Sequence, residues 1–187
     1  VMQKTLQVIR KADPEFKVSL AGNFHKELEA DIYDYCIPIG ASYPAEVLAR
    51  RAQNNLPTTY YTCCTEAFPN TFTFSDPAEA AWMSYYSAKD HLDGYLRWAY
   101  NSWPKEPLLD SRFEAWAGGD TYLVYPGARS SIRFEKLIEG VQAHEKITIL
   151  RKEFTDKKNK TGFKKLEKML STFNLRHFPE VPAAETV

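Results

Sequence analysis

Strand-forming and helix-forming signals alternate along most of this chain, and that alternation constrains its fold more than any other feature. Thr58 to Cys64 is β-branched and aromatic, as a packed strand requires. Asp76-Pro77-Ala78-Glu79 follows: Asp76 fits an N-cap, Pro77 the first helical position, and Glu79 can reach back as in a capping box. That helix is expected to run to about His91, with Trp82, Tyr85, Tyr86 and Leu92 as its apolar face. Asp93-Gly94 then turns the chain into a strand from Tyr95 to Asn101. Upstream, Met2, Leu6 and Ile9 fall at helical spacing, and Asp13-Pro14 ends that helix, because the residue before a proline is pushed out of the α region. Phe16 to Leu20 and Ile32 to Ile39 read as strands, and Ala45 to Asn54 as a helix with Pro44 at its start. The order read is helix, strand, helix, strand, continuing to a fourth strand, a loop and a helix. Such alternation implies parallel pairing through right-handed crossovers. About four βα units with a leading and a trailing helix make an α/β fold, either half of an eightfold barrel or a small open sheet.

Ser102 to Gly119 has no periodicity, and a loop of that length inside a domain is usually functional or mobile. Tyr122 to Tyr125 reads as extended. Ser130 or Ser131 caps a long helix whose expected core face is Phe134, Leu137, Ile138, Val141 and Thr148. Beyond it the chain is lysine-rich (Lys157, Lys158, Lys160, Lys164, Lys165, Lys168), with a narrow apolar stripe of Phe163, Leu166, Leu170 and Phe173. A solvated, peripheral helix is the expectation for that tail, with Asn174 to Val187 loosely held.

Lys+Arg and Asp+Glu each number 24, so formal net charge is zero, which argues against a nucleic-acid binder that must neutralise phosphates. No apolar run approaches a membrane span, and Val1 to Ala12 is amphipathic rather than a signal-peptide core, so the chain is expected to begin as a processed product or an excised piece. Cys36, Cys63 and Cys64 read as small core residues. No His/Cys spacing resembles a zinc site, His25, His91, His144 and His177 are scattered, and no glycine-rich phosphate loop follows a strand. No metal or cofactor is expected.

The stretch Gly94 to Glu135 carries the functional signal: an apolar strand empties into a loop rich in Trp, Asn and Asp. That is how α/β enzymes present a pocket at the carboxyl end of a strand. Alternation puts Tyr95, Arg97, Ala99 and Asn101 on one face and Leu96, Trp98 and Tyr100 on the other. Arg97 and Asn101 would suit a polar mouth, with Asn101 and Trp103 in the pocket. Trp98 is a binding candidate too, although packing under the helices is the preferred reading of its face. Asp120 follows two glycines that let backbone approach a ligand; it either grips vicinal hydroxyls or caps an Asx turn. Glu66 has no partner carboxylate nearby in sequence and reads as a loop residue. Arg133 and Glu135 read as structural ion-pair formers. The high aromatic content, 14%, is compatible with carbohydrate stacking and equally with a large aromatic core.

Tyr60-Tyr61-Thr62-Cys63-Cys64 with Phe68-Pro69-Asn70-Thr71-Phe72, then Asp93 to Trp103, Gly119-Asp120-Thr121-Tyr122-Leu123-Val124-Tyr125-Pro126-Gly127 and Ile132-Arg133-Phe134-Glu135 together resemble the C-terminal half of the catalytic domain of glycoside hydrolase family 123-like proteins, known from Bacteroides and related bacteria. The resemblance covers about Val1 to Arg151. It implies a partial (β/α)8 barrel over residues 1–151 with a lysine-rich helical tail over 152–187. It also implies a β-N-acetylgalactosaminidase-like activity in which the sugar's own 2-acetamido oxygen attacks the anomeric carbon, an exception to the two-carboxylate scheme. In the family an adjacent Asp-Glu pair orients the acetamido group and protonates the leaving oxygen. No Asp-Glu dipeptide occurs in this chain. The resemblance therefore puts the pair upstream, leaves no catalytic residue here, and makes the chain alone inactive. Tyr61 would then supply a hydroxyl to the acetamido pocket, or else pack in the core. Expected partners are a glycan and the other half of the barrel, or a second copy meeting the exposed strand edges. The expected compartment is the periplasm or cell surface. The competing expectation is a non-catalytic carbohydrate-binding or scaffold domain.

Overall fold

Parallel pairing is what the alternating signals predict, and the sheet is built that way. The computed structural model describes residues 1–114, 116–175 and 182–187. By contact density the chain falls into two units, Val1–Tyr61 with Leu92–Leu96, and Thr62–His91 with Arg97–Val187. The strands are β1 (Ser19–Ala21), β2 (Asp34–Pro38), β3 (Thr58–Thr62) and β4 (Gly94–Arg97), side by side in that order. Leu20 lies opposite Tyr35 and Ile37 opposite Tyr60, all in parallel register. With helix α1 (Met2–Ala12) before β1 and α2 (Ala45–Gln53) between β2 and β3, this is an α/β fold consistent with part of a TIM-type barrel.

The first unit is held by a buried arginine. Arg51, in the last turn of α2, has no exposed surface. Its guanidinium donates to the carbonyls of Ile32 (3.0 Å), Tyr33 (2.7 Å) and Pro57 (2.7 Å), and to Glu29 Oε1 at 3.3 Å. Arg50 takes the other carboxylate oxygen of Glu29. These bonds tie the approaches to β2 and β3 to one side chain. They also explain a difference from the expected order. No α-helix separates β1 from β2; a single 3-10 turn, Glu29–Asp31, does so. The turn is fixed by burying Leu28 and by the charge on Glu29, so it needs no amphipathic face. Phe24 and Tyr35 each pack edge to face with Tyr43 nearby, and the Tyr43 hydroxyl donates to Tyr35 O at 2.7 Å.

β3 and β4 stop earlier than the sequence suggests. Cys63 and Cys64 therefore leave the sheet: Cys36 is buried, Cys63 half-buried and Cys64 exposed, so only the first fits the core reading.

In the second unit, α3 (Ala78–Lys89) starts as predicted. Asp76 Oδ1 accepts from Ala78 N at 2.9 Å, and Glu79 Oε1 accepts from Asp76 N at 3.1 Å, completing a capping box. α3 is buried almost all round, and its small residues admit the long helix α4 (Ile132–Asp156). The buried positions of α4 are Arg133, Gly140 and Ile147, seven residues apart. The expected face forms only in part: Phe134 and Leu137 are half-buried, but Ile138, Val141 and Thr148 are exposed. The reason is the closeness of the crossing, since a Cβ at Gly140 would lie 2.8 Å from both Cα and O of Ala81. Ser131 caps α4 by accepting from Phe134 N.

α5 (Lys160–Leu170) buries Leu166 and Leu170 against Ala88 and Ile147, and Phe173 stacks on Tyr85 at 4.6 Å. A short α6 (Ala183–Thr186) follows. The expectation of a loosely held tail from Asn174 falls in part on residues 176–181, which with His177 lie outside the described residues. No described helix is long and apolar enough to cross a membrane.

Gly140→Ala separates packing from helix propensity. Propensity alone favours alanine by about 1 kcal/mol. The clash with Ala81 is expected to reverse that sign and destabilise the protein by about 1–3 kcal/mol, read as a lower urea midpoint at unchanged slope.

Candidate functional site

The site grows from the last residue of β4. Arg97 carries a side chain only 4% exposed, so its charge must find acceptors inside the protein. Its guanidinium donates to Asp120 Oδ1 at 2.5 Å, to Asp120 O at 2.6 Å and to Asn70 Oδ1 at 2.9 Å. Asp120 has no exposed surface, and its Oδ1 also accepts from Trp98 Nε1 at 3.4 Å. Its second oxygen, Oδ2, has no hydrogen-bond partner among the described residues.

Asn70 is the hub on the other side. It is buried, and its Nδ2 donates to Cys63 O (2.8 Å) and Glu66 O (2.6 Å), while its own N–H donates to Glu79 Oε2 at 2.8 Å. The start of α3 is thereby linked through Asn70 and Arg97 to Asp120 and Trp98. Burial pushes the Glu79 carboxyl above its ordinary value, against the hydrogen bonds from Asn70 N and Asp76 N. For Glu66 the balance tips the other way. Burial would raise it, but the Cys63 N–H and the Thr65 hydroxyl, both donating to its carboxylate, hold it below its ordinary value.

Above this polar base lie aromatic rings. Trp98 is 44% exposed and Trp116 40% exposed, with centroids 5.3 Å apart. The segment 100–102 pairs antiparallel with 121–123: Asn101 faces Tyr122, Ser102 N donates to Thr121 O, and Leu123 N donates to Tyr100 O. Asn101 is exposed, and Trp103 is at the edge of exposure with its indole N–H donating to Val124 O at 2.7 Å.

Of the sequence candidates, Arg97, Trp98 and Asp120 come into direct contact, while Asn101 and Trp103 stand on the neighbouring paired segment. Tyr61 belongs to the first unit, half-buried on β3, where its carbonyl accepts from Ile39 N. Trp98 does not pack beneath helices, because β4 ends at Arg97 and strand alternation ends with it. The room left by the two glycines before Asp120 is filled by the protein itself. A Cβ on Gly119, whose φ is +78°, would meet Arg133 at 2.5 Å, and one on Gly118 would meet Ser111 at 2.7 Å. Arg133 and Glu135 form no ion pairs among the described residues. Arg133 is buried and donates to the carbonyls of Thr71 and Gly119, and Glu135 accepts from the Ser130 hydroxyl.

Two residues escape sequence reasoning. Asn70 looks like any turn asparagine after Phe68-Pro69, and Trp116 lies in the aperiodic loop. The one available signal was a tryptophan two residues before Gly118-Gly119 in an aperiodic loop. Among the described residues no three His, Cys, Asp or Glu side chains converge as a metal would require. Chemically, exposed indole faces on a rigid, charged base suit a ligand with an apolar face and a polar edge.

The family profile described as "Glycoside hydrolase 123, catalytic domain" matches residues 1–150. Among solved structures, a family 123 glycoside hydrolase from Clostridium perfringens, studied for glycolipid glycan hydrolysis, superposes with a TM-score of 0.76 at 26% identity. The match covers 91% of this chain and 32% of that one, so the chain spans about a third of that enzyme's length. No curated protein matches the chain.

Asp120→Asn should leave Arg97 buried without its counter-charge and cost about 3–5 kcal/mol in chemical denaturation. Replacing both partners by apolar residues of similar volume should recover much of that loss. Glu66 has a lowered value in the folded chain and its ordinary value when unfolded. Its contribution is therefore complete above the ordinary carboxylate value and is lost as pH falls through the folded one. The stability difference between wild type and Glu66→Gln should be largest near about pH 7 and shrink toward about pH 3.

Proposed function

We propose, because the chain belongs to the glycoside hydrolase 123 catalytic-domain family, that it is the sugar-holding part of a glycosidase acting on terminal β-linked N-acetylhexosamine. The observation that carries the reading is the Trp98 indole, tethered by its N–H to the buried Asp120–Arg97 pair while its ring stays open beside Trp116. A pyranose offers a face of C–H bonds to such rings and hydroxyls to the polar groups at their edge. Arg97 and Asp120 act through Trp98, fixing its plane. Asn101, whose amide makes no hydrogen bond within the described residues, is the proposed contact to sugar oxygens, with the Trp103 ring as a further wall.

The proposed reaction is substrate-assisted. The acetamido oxygen attacks the anomeric carbon as the glycosidic C–O bond breaks, and the leaving oxygen takes a proton from an acid. An Asp-Glu pair that orients the acetamido group and donates that proton is not in this sequence, so the proposal assigns it to the remainder of the barrel. That remainder would pair with the free edges of β1 and β4; a second copy is the alternative cover. Glycolipid glycans are one substrate class for this chemistry, as in the Clostridium perfringens relative, and the expected compartment is the periplasm or cell surface.

The decisive comparison is a longer polypeptide, carrying this chain and the region before it, against this chain alone, on aryl 2-acetamido-2-deoxy-β-galactoside and β-glucoside. Hydrolysis by the longer form only is expected, with Trp98→Ala lowering its kcat/KM by about tenfold, roughly 1.4 kcal/mol. Turnover by this chain alone would overturn the assignment of the acid pair. Saturable sugar binding by the longer form without turnover would favour a non-catalytic binding domain. In light scattering the chain alone is expected to self-associate; a monomer would count against the open-edge reading.

A further inference from the structure

The turn between α4 and α5 holds a pocket of about 410 Å³, outside the residues matched to the family. Its apolar lining includes Phe154, near the end of α4, and Phe163, in the first turns of α5. Both rings are half-buried. Gly162 keeps the wall open, since a Cβ there would come within 3.1 Å of the Phe154 ring. Asn159 closes the turn by accepting from Gly162 N at 2.9 Å.

Lys158, Lys160 and Lys164 stand around this pocket. The ordinary reading of surface lysines is a solvated face evened out by nearby acids. Here the acids are already matched elsewhere. Glu153 pairs with Lys157, Asp156 with Lys152 at 2.5 Å, and Glu167 with Arg151 through two bonds of 2.7 and 3.0 Å. None of the three rim lysines forms an ion pair among the described residues. Helix electrostatics do not explain them either. Lys160 is the first residue of α5, whose first turn has no acidic residue, and the positive end of a helix dipole disfavours cations. Lys158 adopts φ +53°, a left-handed conformation that glycine takes at less cost.

A rim of unpaired cations at a helix N-terminus, above an aromatic floor, has the two halves of one ligand chemistry. We propose that this pocket binds a single-chain amphiphilic anion: an aliphatic tail against Phe154 and Phe163, and a carboxylate or similar head among Lys158, Lys160 and Lys164. The volume falls in the range of small-molecule sites. The lining is apolar and three lysines without an ion pair among the described residues border it, which matches one aliphatic tail and one anionic head. The site does not depend on the glycosidase reading.

The test is titration of the whole chain with octanoate below its micelle concentration, in low salt, followed by calorimetry and by amide chemical shifts. Acetate serves as the head alone and 1-octanol as the tail alone. Saturable octanoate binding is expected, with shifts centred on residues 154–164, no binding of acetate and weaker binding of octanol. Lys158→Glu with Lys164→Glu, both at exposed positions, should weaken octanoate by about tenfold with the helical signal unchanged. Phe163→Ala is the second variant and should weaken octanol and octanoate alike. Equal binding of acetate and octanoate, shifts centred elsewhere, or unchanged affinity in the lysine variant would overturn the proposal. So would co-sedimentation with phosphatidylglycerol vesicles in the absence of any binding to monomeric octanoate, which would make the hairpin a membrane-surface contact instead.

Discussion

A guanidinium removed from water must be answered by acceptors on every side it presents, and in this protein Arg97 imposes that condition on the loops around it. Its demand is met by Asp120 and Asn70, residues 23 and 27 positions away. Neither is free to move without exposing an uncompensated charge. Because Asn70 also satisfies the carbonyls of Cys63 and Glu66, and Asp120 also holds the Trp98 indole, one ion pair sets the loop after β3, the segment before α4 and the exposed tryptophan together. The buried pair and its partners form the base, and the Trp98 and Trp116 rings stand exposed beside it.

The same device recurs with different counterparts. Arg51 is answered mainly by three backbone carbonyls and shares Glu29 with Arg50, which makes it a tie between strand entries in the first unit. Arg133 is answered by two carbonyls, one of them Gly119 O, and its guanidinium lies 5.3 Å from the centre of the Tyr122 ring. Burying a guanidinium against carbonyls fixes irregular backbone that no strand or helix ladder could satisfy, and loops of this kind carry function in α/β proteins. Gly119 illustrates the cost in sequence freedom, needing both a left-handed backbone and empty space for Arg133.

Around Trp98 the sequence was legible up to a point. Its neighbourhood could be picked out as a polar, aromatic loop after a strand, and Arg97 and Asp120 as chemistry-bearing residues. Which of them would touch each other could not, because strand alternation was carried through to Asn101 while the strand stops at Arg97. Asn70 was invisible for a related reason: its importance lies in partners at Arg97 and Glu79, and nothing in Phe68-Pro69-Asn70 announces them. In α4 the apolar spacing pointed to Ile138 and Val141, yet the helix turned its glycine to α3. Backbone contact at Gly140 allows a closer crossing than any larger side chain would.

The sequence by itself determined the features set by short-range physics. Proline, Asx and serine signals fixed where α1 ends and α3 and α4 begin, an apolar run fixed β2 and a β-branched and aromatic run fixed β3, and alternation of strands and helices fixed a parallel sheet. Family-specific runs spread along the chain fixed its kinship. Tertiary structure alone decided which charges are buried together, which tryptophans stay in solvent, and which lysines are left without a carboxylate. Those outcomes depend on distances between residues far apart in the chain, and on desolvation costs that exist only once the core has closed.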